Sequence, residues 1–144
     1  MGKTRAAALL GALLLVSSCQ WAGDTKAVRV PFANLKQRLE ESHATLKRAI
    51  QEGSLDRAPA AIRALGERFD ELSAQSSAMN LLDREHLAIN IATARRCLTA
   101  IDRYCAAGDQ ELVRTLFDQL EPTIGEIQVL LDRAGGLGHD DGLA

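Results

Sequence analysis

Metal chemistry is the first class of reaction these residues raise. The chain carries His43, His86 and His139, cysteines at 19, 97 and 105, and Met79 as its one methionine besides Met1. Imidazole, thiolate and thioether are the groups that zinc, copper and iron select. Their spacing makes no ready motif. Cys97 and Cys105 are separated by seven residues, which is not a zinc spacing, and Ala106-Ala107 follows Cys105 where a haem-attachment motif would differ. His139-Asp140-Asp141 sits close to the C-terminus, on a stretch expected to be flexible, where ordering a metal site costs entropy. His43, His86 and Met79 remain as candidate ligands, and no metal, haem or other cofactor is assigned. Catalysis by other routes finds no motif either: the chain has no H-E-x-x-H, P-loop, G-x-S-x-G or Gly-rich nucleotide fingerprint. Carboxylate neighbours such as Glu40-Glu41 and Asp70-Glu71 point in different directions on a helix, so they read as a solvated face rather than an acid–base pair. The expectation is a protein that is not an enzyme.

The N-terminus carries a different chemistry. Lys3 and Arg5 form a short positive region, and Ala6 to Val16 an apolar run. At about 11 residues this run has the length of a signal-peptide core and is too short to span a bilayer. Val16-Ser17-Ser18-Cys19 follows, and it resembles the lipobox of bacterial lipoproteins. Val16 and Ser18 stand where that family most often has Leu and Gly or Ala. The resemblance implies cleavage before Cys19, a diacylglycerol thioether on its sulfur and acylation of the new amino group. It also implies a cell-envelope protein anchored by lipid and facing the periplasm. Gln20 after the cysteine, in place of Asp, points to the outer membrane by the enterobacterial sorting rule. Trp21 is then placed to sit at the membrane interface, where its amphipathic ring is favoured.

Removing residues 1–18 takes away Lys3 and Arg5 and moves the formal charge from −2 to −4. Aromatics are 3% of the chain and no long basic run exists. Phosphate neutralisation needs clustered Lys and Arg, and single strands need stacking platforms, so nucleic acid is not an expected partner. Attachment to the membrane is expected through the lipid, since several acyl chains on one cysteine suffice for stable anchoring.

Four helical patterns must position the remaining residues. After a lipidated tether over 19–30, Pro31 opens the first helix, where a missing N–H costs nothing. Apolar residues then recur at spacings of three and four. The first stripe is Phe32, Leu35, Leu39, His43, Leu46 and Ile50, ended by Gly53-Ser54. The second helix runs from about Asp56 with Pro59 in its first turn, and its stripe is Ala58, Ile62, Leu65, Phe69 and Leu72. The third runs from about Met79 to Ala107 with Leu87, Ile91, Ala94, Leu98, Ile101 and Cys105 on one side, closed by Gly108. Asp109 caps the fourth, whose stripe is Val113, Phe117, Leu120, Ile124, Ile127 and Leu131, with Gly135-Gly136 as its stop. Pro122 lies inside this helix and is expected to kink it. Cys97 and Cys105 share the third helix, about 12 Å apart along its axis, too far for a disulfide. Arg95-Arg96, with Arg84 and Arg103, is expected to pair with carboxylates of neighbouring helices.

No segment alternates with period two, and short links make neighbouring helices antiparallel. The fold class is therefore all-α: an antiparallel up-down-up-down four-helix bundle over 31–134, following a signal peptide over 1–18 and preceding a flexible tail over 135–144. Shifting the chain by 55 residues places Gly53 on Gly108, Leu65 on Leu120 and Phe69 on Ile124, a weak internal repeat of two helical hairpins. The stretch from Ile101 through Gly108-Asp109 to Leu120 resembles hairpins of periplasmic four-helix bundles of the cytochrome b562 type, and also copper-associated periplasmic bundle domains. The likeness extends over most of 32–134. It implies the bundle fold but not the ligand, because the first helix has no Met and the fourth no His. The functional expectation is a lipid-anchored, non-enzymatic binding or assembly subunit with a protein partner yet to be identified. The alternative is a metal- or haem-binding carrier or sensor.

Overall fold

The chain folds as four antiparallel helices in a computed structural model that describes residues 30–136. The proposed signal peptide, Cys19, Trp21 and His139 lie outside the described residues. Helix α1 is Phe32–Gln51, α2 Ala58–Gln75, α3 Leu81–Ala107 and α4 Gln110–Gly136, with a single 3₁₀ turn, Ser76–Ala78, before α3. No strand occurs among the described residues. Each helix packs on the next and α4 returns to α1, while the diagonal pairs do not approach each other. This is the ring of an up-down-up-down bundle.

Local chemistry explains the helix ends. Pro31 is the N-cap of α1 rather than its first residue, and its carbonyl accepts from Asn34 and Leu35. Gly53 follows α1 with φ +71°, and the Gly53 and Ser54 amides donate back to Ile50 and Ala49. Gly108 closes α3 in the same way, with φ +72° and bonds from Gly108 and Asp109 to Cys105 and Tyr104. A left-handed residue is what lets those two amides reach the orphan carbonyls, and glycine adopts it without Cβ strain. The two positions paired by the 55-residue shift thus make the same turn. The Asp109 carboxylate accepts from the Leu112 amide and starts α4.

Besides Pro31, two boundaries differ from the sequence reading. Helix α4 runs on through Gly135 and Gly136, expected to stop it and to begin the tail, and the start of α3 is shifted. Met79 does not open α3. It is extended, with φ −88° and ψ 159°, and its side chain enters the core. Asn80 takes over as N-cap because its side chain accepts from the Asp83 amide. Helix α4 continues through Pro122, which faces solvent, and the carbonyl that loses its partner belongs to exposed Asp118.

The core is the set of four stripes brought face to face. Leu39, Leu46, Leu65, Phe69, Leu120 and Ile127 are fully buried at its centre. Each such side chain contributes about 1.5–3 kcal/mol by leaving water. Ile62, expected in the seam, is only half-buried beside α3. Replacing Gly108 with alanine is expected to lower stability by about 1 kcal/mol, the αL penalty of an L residue. Urea unfolding of Gly108→Ala followed by circular dichroism measures it. Open space surrounds that position, so a steric clash does not contribute.

Candidate functional site

His43 is the one candidate ligand that the fold places in an unusual environment. It lies on the side of α1 that meets α4, where its neighbours along the stripe are Leu39, Leu46 and Ile50. Its ring stacks on Phe117 of α4, with centroids 5.3 Å apart and planes 13° from parallel. The Nε2 atom is shielded from solvent and has no hydrogen-bond partner. The nearest carboxylate oxygen, Glu121 Oε1, is 3.9 Å away and is already engaged by Lys47 at 2.6 Å. Burial holds the His43 pKa below its ordinary 6.5, against the attraction of Glu121, with Lys47 adding to the depression. The imidazole is therefore neutral at pH 7, and one buried nitrogen is left unsatisfied.

The other candidates do not join it. His86 is exposed in the second turn of α3, the helix diagonal to α1 in the bundle. Met79 is buried in the core. Glu40 precedes His43 by three residues, a single Glu-x-x-His spacing. Di-iron bundles use that pattern in duplicate, whereas it occurs once here and Glu40 turns to solvent toward Lys36 at 3.8 Å. Among the described residues no three His, Cys, Asp or Glu side chains converge on a common point. Cys97 and Cys105 are both free thiols on the unbroken helix α3. Burial raises the Cys105 thiol above its usual range and the Asp102 charge adds to this, so little reactive thiolate forms there.

One polar constellation escaped the sequence reading. Asp83 is 2% exposed, the one buried charged residue among those described. It accepts from Arg133 at 2.7 Å and from the Asn80 side chain at 2.6 Å. The link joins the start of α3 to the end of α4 across 50 residues of sequence. Arg95 donates to Asp70 at 2.6 Å and lies 5.8 Å over the Phe69 ring, bridging α3 to α2 as the expected pairing of arginines with neighbouring helices requires. Arg96 reaches only Thr93 on its own helix.

Open grooves of about 280–340 Å³ mark the surface of the described residues, and three of them lie along helix seams. One lies between α1 and α2 over Ala49, Ala60, Ala61 and Ala64. A second follows the α2–α3 seam beside Gly66 and Arg95. The third runs past Phe117 and Glu121. None brings a nucleophile against a base. No helix among the described residues is long and apolar enough to cross a membrane. Compared with protein-family models, curated proteins and solved structures, the chain matches none.

Two expectations follow from these polar positions. A histidine whose folded pKa lies below 6.5 favours the native state above that pH, and this advantage is lost as pH falls through its folded pKa. Urea unfolding at pH 7.5 and 5.5 should therefore show a smaller acid loss for His43→Leu than for the natural chain. An equal loss in both would remove His43 as the cause. Arg133→Met leaves the buried Asp83 carboxylate with Asn80 alone, and should cost about 1.5–3 kcal/mol, the scale of a charged hydrogen bond. Thermal unfolding checks it, with the exposed Arg96→Met as a control that changes little.

Proposed function

We propose that the protein is a lipid-anchored helical bundle of the cell envelope, facing the periplasm and acting without catalysis as a binding or assembly subunit. The observation that carries this reading is Val16-Ser17-Ser18-Cys19 placed after an apolar run of signal-peptide length. The architecture is compatible with it. A bundle whose main apolar stripes meet in one core needs no bilayer around it, so attachment by a lipid on Cys19 is the simplest link to a membrane. Trp21 beside that cysteine would lie at the interface, and Gln20 favours the outer membrane. The chemistry left to such a domain is surface complementarity toward a protein partner. A metal- or haem-carrier is the weaker reading, because His43, His86 and Met79 are dispersed over a packed seam, an exposed turn and the core.

The test is metabolic labelling with radioactive palmitate in a bacterial host, combined with membrane fractionation. The natural chain should incorporate label and stay with membranes after a high-salt wash, and Cys19→Ser should do neither. A Cys19→Ser protein that is still processed at residue 18 and retained by membranes would overturn the lipid assignment.

A further inference from the structure

The chain enters the bundle at one end, and that end differs from the other. α1 and α3 start there, while α2 and α4 finish there. Arg38 with Glu71, Lys36 with Asp132 and Arg133 with Asp83 tie the four helices together across it. Cys19 stands 11 residues before Val30, so even a fully extended connection gives it a reach of about 40 Å. The large apolar side chains left exposed among the described residues are Leu81, Leu82, Ile89 and Val129, at 62%, 59%, 63% and 52%. All four fall in the half of the bundle nearest the entry end. Leu81 and Leu82 open α3, Ile89 follows Leu82 by two turns on the same outward stripe, and Val129 is seven residues from the end of α4. The half that carries the Gly53 and Gly108 turns has none.

The fold does not need these side chains. α3 already buries Leu87, Ile91 and Ala94 on its opposite side, and a helix start exposed to water ordinarily carries polar residues. We propose that Leu81 and Leu82 form a lipid-contact surface that seats the entry end of the bundle in the bilayer interface. This inference rests on the lipid-anchor reading of Cys19. Two leucines alone would hold a membrane only weakly. A tether that keeps them within reach of the bilayer makes the second contact intramolecular and so raises its occupancy. Burying their exposed area then orients the bundle, with the Gly53 and Gly108 turns pointing away from the lipid. Arg84, Glu85 and His86, in the turn after the leucines, limit the depth to the headgroup level.

Single-tryptophan variants of the full chain test the surface. Trp21→Phe removes the natural tryptophan, and Leu82→Trp or Ala106→Trp then reports from exposed positions on α3 that lie 24 residues, or about 36 Å, apart. The proteins are matured in cells, matched by circular dichroism and reconstituted with phosphatidylethanolamine–phosphatidylglycerol vesicles. Both should float with the vesicles. Leu82→Trp should emit at shorter wavelength and lose most of its fluorescence to lipids brominated in the acyl chains, while Ala106→Trp keeps its own. Floating protein with equal, weak quenching at both positions overturns the surface and leaves the anchor standing. A blue shift at Leu82→Trp that brominated lipid leaves unchanged means a second copy covers the leucines, and also overturns it. Protein that does not float overturns the anchor, and the inference with it.

Discussion

Each of the four helices gathers its main apolar stripe on one side, and all four stripes have to become dry together. An isolated amphipathic helix draws little stability from its own backbone in water, because nucleation is costly and its whole apolar stripe would stay wet. Packing on one neighbour covers part of the stripe. Packing on two, as the ring of α1, α2, α3 and α4 provides, covers the rest. Leu39 and Leu46 of α1, Leu65 and Phe69 of α2, and Leu120 and Ile127 of α4 reach zero exposure only in that closed arrangement. The glycine turns matter because they let the chain reverse within a few residues and keep consecutive helices in contact.

Polar groups set the alignment that a smooth apolar seam leaves open. Leucine stripes can slide by a turn with modest loss, since neighbouring positions are also leucine or isoleucine. Asp83 cannot slide. Its carboxylate is buried, and away from Arg133 it would stand desolvated with only the neutral Asn80 amide of its own helix as partner. Arg95 marks the α2–α3 seam, where exposed Asp70 meets its charge and Phe69 its flat face, but this pair is solvated and constrains register less than Asp83 does. The surface pairs Lys36–Asp132 and Arg38–Glu71 are solvated and add little energy, though they mark which helix ends lie together.

His43 shows the opposite compromise. The ring fills a seam position and keeps apolar contact by lying flat on Phe117. Its Nε2 loses water and gains nothing in return. Leucine at that place would pack without this penalty, so the imidazole is a polar liability within an otherwise dry interface. Lys47 and Glu121 satisfy one another beside it, which is why the carboxylate stops at 3.9 Å instead of closing on the ring.

Much of this architecture is legible in the sequence because it is local. Helical residues three and four apart share a face whatever lies opposite, so the periodicity of Leu35, Leu39, Leu46 and Ile50 identifies their stripe without a partner. Gly53, Gly108 and Asp109 act on backbone groups within five residues, so the turns and the α4 start can be read directly. Other features depend on what another helix presents. Asp83 looks like one more surface carboxylate until Arg133 arrives from 50 residues away, and Ile62 looks like a core residue until the α2–α3 seam leaves it partly open. Met79 continues the apolar pattern of α3, yet Asn80 competes for the helix start and leaves it extended. His43 could be placed on a seam by spacing alone, but its stack on Phe117 and its unpartnered nitrogen are properties of two helices. The sequence determined which faces avoid water and where the chain turns, since those are near-neighbour effects. Tertiary structure alone decided which charges are buried, paired or stranded, since desolvation depends on every element that packs around a group.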